Sequence, residues 1–159
     1  MKTFTDSAGR SWSVQLNIAA AKRVRDLLGV DILAPEAGDP PLMTRLGTDE
    51  ILLCDLIYCL VKPQADSQNV TDEQFGAALG GDAIFAAQQA LYEEMCDFFR
   101  SRGRSHTAAA LAKQHEMIRL AVDSLQQRIE AIDPAGEIQT ILGSSSTNSP
   151  EPSASSPTR

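Results

Sequence analysis

The chain has 159 residues, with 14 Lys+Arg and 21 Asp+Glu giving a formal charge of -7, and its 43% hydrophobic content includes only 5% aromatics. A chain of this length and apolar content can bury its own core. This excludes a disulfide scaffold, a collagen-like chain and a wholly disordered protein. The negative charge and the scarcity of stacking rings argue against a nucleic-acid binder.

The opening reads as a β-hairpin over residues 1–16. Phe4 in one strand, and Trp12, Val14 and Leu16 in the other, alternate with polar residues. Between the strands, Asp6 to Arg10 carries the Asp and Gly of a tight turn. A lone hairpin is marginal in water, so it must pack on helices or on another chain.

Asn17 and Gly29 bracket a short helix over Ile18–Leu28, as N-cap and stop. Val24, Leu27 and Leu28 are expected inward, with Lys22, Arg23 and Arg25 in solvent. Residues 34–41 hold Pro35, Gly38, Pro40 and Pro41 and read as a loop. A second helix is expected to start at Thr48, run through a nearly continuous apolar stretch and stop at Pro63. It is either the central core helix or half of an interface.

Thr71 and Gln74 form a capping-box pair that opens a short helix ending near Leu79, and Gly80-Gly81 breaks it. Asp82 is expected to cap a longer helix to Phe99, with Ile84, Ala87, Leu91, Met95 and Phe98 on one face. Phe85, Tyr92 and Phe99 widen that face. Arg100, Arg102 and Arg104 complement the carbonyls at its end.

The last long helix spans Thr107 to Ile132. Ala108, Leu111, His115, Ile118, Val122, Leu125, Ile129 and Ile132 follow one another at alternating spacings of three and four. This is a heptad seam with Ala, His, Val and Ile at a, and Leu, Ile, Leu and Ile at d. The flanking e and g positions lack the complementary charges of a zipper. A helix packed within its own domain and an intermolecular coiled coil both produce this spacing. Met117 and Leu120 add apolar surface on another side.

Pro134 is expected to end the helix, with one further turn over Glu137–Leu142. From Gly143 the sequence is rich in Ser and Pro and has almost nothing to bury, so residues 143–159 are predicted to be a disordered tail. The fold class is therefore mainly α: one small helical domain over 1–142, with an N-terminal hairpin and a long C-terminal helix.

Charge is unevenly placed. Residues 1–30 hold five Lys/Arg against two Asp/Glu, 31–97 hold two against thirteen, and 98–159 hold seven against six. The three cysteines, Cys54, Cys59 and Cys96, are an odd number, and the start lacks an apolar leader. Free thiols in a reducing, cytoplasmic setting are expected. The apolar run from Ile51 to Val61 contains Asp55 and is too short to cross a bilayer of roughly 30 Å.

Sites for chemistry are not apparent. Gly80-Gly81-Asp82 is shared with the cyclase signature GGDEF, but a helical pattern follows it here. His115-Glu116 opens a zinc-type HExxH whose second His is Arg119, so the ligand pair is missing. Cys54 and Cys59 stand roughly 140° apart around one helix, poorly placed to share a metal. Neither a P-loop nor a GxSxG is present. The sequence predicts no catalytic residue, no metal and no cofactor, and a non-enzymatic interaction protein.

Several stretches together resemble the tail assembly chaperones of long-tailed bacteriophages. They are Phe4-Thr5-Asp6 with Gly9-Arg10-Ser11-Trp12, Lys22 to Arg25 and Gly29 to Ile32. Further on come Asp49 to Val61, Thr71 to Phe75, Gly81 to Ile84, Ala90 to Glu94 and Asp97 to Phe99. The resemblance covers roughly residues 1–100. It implies a helical chaperone in the host cytoplasm that binds the long apolar tape-measure protein and helps the tail-tube protein polymerise around it. It implies neither nucleic acid nor membrane as a partner, and it allows a homo-oligomer. The seam residues Leu111, Ile118, Val122, Leu125, Ile129 and Ile132 are the candidate partner-binding set. The same sequence is also compatible with a head-tail or tail component kept in the virion, or with a small dimeric helical adaptor.

Overall fold

The computed structural model describes residues Met1 to Ser144, so most of the Ser/Pro-rich tail lies outside the described residues. Among them are two strands, β1 (Lys2–Thr5) and β2 (Ser11–Val14). Seven helices follow: α1 (Ile18–Leu28), α2 (Leu42–Thr48), α3 (Glu50–Ser67), α4 (Asp72–Ala78), α5 (Asp82–Ser101), α6 (Ser105–Glu130) and α7 (Pro134–Ser144). The fold is mainly α. The chain divides into two compact units, Met1–Leu120 and Ala121 onward, with the boundary inside α6.

In the first unit, β1 and β2 pair antiparallel with Phe4 opposite Trp12. The turn is built on Asp6, which is almost fully buried. Its carboxylate accepts from the backbone N–H groups of Ala8 and Arg10, from Arg10 Nε at 2.8 Å and from Trp12 Nε1 at 2.8 Å. Burial alone would raise this carboxyl's pKa. The hydrogen bonds from Trp12 and from the Arg10 backbone and guanidinium outweigh it and hold the carboxyl below its ordinary value. Trp12 meets the ring of Phe75 on α4 edge to face, with centroids 5.2 Å apart.

The open edge of β2 is closed by a side chain. Gln64 of α3 donates from Nε2 to Ser13 O at 2.7 Å and accepts from Ser13 N–H at 2.9 Å. A strand edge otherwise presents unpaired backbone groups. The hairpin is also held by Glu94 of α5, a buried carboxylate that accepts from Leu16 N–H at 2.9 Å.

Helix α1 has the expected caps. Asn17 accepts from Ala20 N–H, and Gly29 ends the helix at φ 66° with its own N–H on Arg25 O. Its inward face is Ala20, Ala21 and Val24, with Leu28 half-buried and Leu27 exposed, correcting the inward placement of Leu27. Arg23 is not a solvated residue. It reaches α3 and donates to the carbonyls of Cys59 and Leu60.

Three features of this stretch differ from the sequence expectation. Residues 42–47, given no element by the sequence, join Thr48 in α2, whose Leu42 and Leu46 are buried. Helix α3 then starts after Asp49, whose side chain accepts from Leu52 N–H, so Asp49 and not Thr48 is the cap. It also continues through Pro63 to Ser67. Proline removes the N–H that would serve the carbonyl four residues earlier, which here is Cys59. That carbonyl is the one Arg23 occupies, so the acceptor freed by the proline does not go unpaired.

Seven residues of α3 are buried, including Leu53, Leu56, Ile57 and Val61, making it the central helix of this unit. Helix α4 carries the reciprocal Thr71–Gln74 capping box. Helix α5 is capped by Gly81 at φ 60°, with Asp82 inside its first turn, correcting the assignment of Asp82 as cap. Ala87, Leu91, Tyr92, Met95 and Phe99 of α5 are buried, whereas Phe85 is exposed.

The arginines after α5 are engaged. Arg100 pairs with Asp97 at 2.9 Å. Arg102 lies 4.5 Å over Phe98, and Arg104 lies 4.6 Å over Phe99. Arg104 also donates to Leu33 O and Glu36 Oε1, both at 2.6 Å, tying down the turns after α1.

The three cysteines are free thiols. Burial, followed by the charges of Asp55 and Asp72, pushes the Cys54 thiol up to about 11.

Candidate interaction surface

Helix α6 begins as a core element. Thr107, Ala108 and Leu111 are buried, and Cys96 of α5 bonds through its sulfur to Ala108 O at 3.4 Å. One turn on, the ring of His115 stacks on Tyr92 with centroids 5.1 Å apart and planes 11° apart. The Tyr92 hydroxyl donates to Met43 O, so α2, α5 and α6 are joined at this point. Burial lowers the His115 pKa. Glu93 raises it and Arg119 lowers it further, and the net effect favours the neutral ring. Ile118 is half-buried and packs against the core.

The seam therefore changes character along the helix. Of the candidate set, Leu111 and Ile118 are taken up by the first unit's own packing. The other four, Val122, Leu125, Ile129 and Ile132, lie in the second unit and are exposed. Helix α6 ends at Glu130, so Ile132 stands in the turn that follows rather than on a continuing heptad.

Pro134 opens α7 instead of ending a helix: its missing N–H is one of the unpaired donors of a first turn. Helix α7 adds Ile138, Ile141 and Leu142, spaced as on one helix face. These seven aliphatic side chains of the second unit are each between 38% and 67% exposed. The elbow from α6 to α7 encloses a groove of about 610 Å³, lined by Ile132 and Ile141 together with Arg128, Asp133, Gly136 and Thr140.

The α7 residues were absent from the candidate set. Their signal is the three-and-four spacing of Ile138, Ile141 and Leu142, which a stop at Pro134 would hide. In the first unit, Ile18, Leu27, Ile51, Phe85, Met117 and Leu120 are also exposed. Single exposed apolar side chains are ordinary on a protein surface; a stripe of them along two helices is the informative feature.

No group of three His, Cys, Asp or Glu among the described residues could hold a metal ion. None of the described helices is long and apolar enough to cross a membrane. Compared with known proteins, the chain matches no family model, no curated protein and no solved structure.

Proposed function

We propose that the chain is a non-enzymatic assembly chaperone of a long-tailed bacteriophage, working in the host cytoplasm. On this reading it binds the tape-measure protein, keeps that long apolar helix soluble and promotes polymerisation of the tail-tube protein around it. The supporting observation is the aliphatic stripe from Val122 to Leu142, carried by two helices of an acidic chain.

Such a stripe suits a helix-in-groove mode, in which a client helix lays an i, i+3, i+7 face against it. Affinity would come from apolar burial, and the net charge of -7 would keep the complex in solution. No cofactor enters this scheme.

The test is co-expression with a tape-measure protein of a long-tailed bacteriophage, followed by size-exclusion chromatography. A soluble complex is expected, and Leu125→Glu with Ile129→Glu should release the client into the insoluble fraction. Mass spectrometry of purified particles should find the chain absent. Its retention in particles would favour a structural tail component instead. A client equally soluble without the chain would end the chaperone reading.

A further inference from the structure

We propose that the outer edge of β1 is a docking site for an extended, basic segment of a partner protein, which adds to the hairpin as a third strand. Gln64 holds both the N–H and the C=O of Ser13, so these groups point away from β1. Ser13 stands opposite Thr3 in the ladder. In an antiparallel pair, opposed residues turn their backbone groups either towards one another or both away. Thr3 therefore turns its N–H and C=O out of the hairpin, and Thr5, two residues on, does the same. Asp6 donates its N–H across to Arg10 O at 2.9 Å, in phase with this assignment. Among the described residues, nothing bonds to the outward groups of Thr3 and Thr5. The two edges are thus treated differently. A side chain closes β2, and β1 is left as a template for pairing.

The space beside this edge fits a strand. A groove of about 380 Å³ lies between Lys2 and Thr3 on one side and Ala86, Gln89, Ala90 and Glu93 of α5 on the other. An added strand runs roughly 4.8 Å from its neighbour. Ala86 and Ala90 stand one turn apart on the same face of α5, and their short side chains leave room for it. Thr3 and Thr5 are exposed and Phe4 is buried, so alternate side chains of the new strand would face water and α5. Main-chain hydrogen bonds to Thr3 and Thr5 supply the affinity, and the α5 wall supplies the selection.

Charge gives the partner its sign. From Asp82 to Asp97, α5 carries Asp82, Glu93, Glu94 and Asp97 and neither Lys nor Arg. Lys2 is the side-chain cation facing them, 3.1 Å from Asp97 and 3.6 Å from Glu93. Those two carboxylates remain 49% and 43% exposed, so a Lys or Arg of the incoming strand finds free oxygens at the Lys2 end. A second copy would bring the same acids against these, which disfavours pairing of β1 with itself. The site belongs to the first unit and stands whether or not the aliphatic stripe binds a client.

The probe is a synthetic, end-capped peptide in which Val and Thr alternate between flanking Lys residues. Amide hydrogen exchange of the full chain, followed by NMR, reads the contact. In the free chain, Thr3 and Thr5 should exchange fast and Phe4 slowly. Peptide at about 1 mM should slow Thr3 and Thr5 at least 10-fold. Methylating the peptide's alternate amides, or exchanging its Lys for Glu, should each weaken binding about 10-fold or more. Ala86→Phe, which fills the groove from an exposed position, should do the same, with emission from the buried Trp12 showing that the first unit stays folded. Thr3 and Thr5 left unprotected by the peptide would overturn the proposal. So would protection in the free chain that grows with its concentration, which would give the edge to a second copy. Equal binding of the Glu peptide would also overturn it, by removing the basic partner.

Discussion

Arg23 donates from Nε to the carbonyl oxygen of Cys59, the backbone acceptor that Pro63 leaves without its helical donor. One side chain on α1 thereby lets α3 continue past a proline and pins the two helices together. Arg23→Ala should cost about 1–3 kcal/mol, the penalty for a buried acceptor left unmade. Pro63→Ala restores an N–H at the correct position, so the double variant should lose much less stability than Arg23→Ala alone. Urea unfolding of the four proteins measures the coupling. Additive effects would show that Arg23 acts elsewhere.

The acid limb of the stability curve should carry the signature of Asp6. Its carboxyl is held below the ordinary value, so its contribution is fully present above the unfolded pKa of about 3.9. It is lost as pH falls through the lower, folded value. Asp6→Asn sets an amide against the N–H groups of Trp12 and Arg10 and should cost about 2–3 kcal/mol at neutral pH. The gap between the two proteins should narrow as pH falls below 3.9 towards the folded value. A gap independent of pH would assign the loss to shape rather than charge.

Gly47 and Ile118 test how firmly α6 is seated on the first unit. A Cβ at Gly47 would stand 2.3 Å from Ile118 Cδ1 and 2.8 Å from its Cγ1. Gly47→Ala should therefore destabilise by about 1–3 kcal/mol through overpacking, despite the better helix propensity of Ala. Shortening the neighbour with Ile118→Ala should remove that penalty. If Gly47→Ala stabilises the otherwise unchanged chain, α6 is not held against α2 at this turn.

The sequence made some of this organisation legible and hid the rest for identifiable reasons. Asn17, Gly29 and the Thr71–Gln74 box work through neighbours three or four residues away, so local reading placed those helix ends. The continuation through Pro63 depends on Arg23, which no local rule connects to it. Helix α2 is one Gly-containing stretch of seven residues after a proline pair, with too little periodicity to register. The seam was legible as a spacing, but spacing records only that one face is apolar. Whether that face meets its own core or water is set by the boundary at Leu120, which depends on tertiary packing.

Leu56 and Leu125 are chemically identical residues in opposite settings, and the same substitution should separate them. Leu56 is fully buried in α3, whereas Leu125 is 56% exposed on α6. Leu56→Asp places an unpaired carboxylate in the core, at a cost of several kcal/mol against a total stability of roughly 5–15 kcal/mol. Circular dichroism should show loss of most helix, and Trp12 should become exposed to solvent. Leu125→Asp adds a charge where water already reaches. Trp12 should stay buried and the thermal transition of the first unit should move little, while light scattering reports any loss of association. If both variants unfold alike, Leu125 is a core residue. The stripe beyond Val122 would then cease to be a binding surface, and the chaperone reading would lose its site.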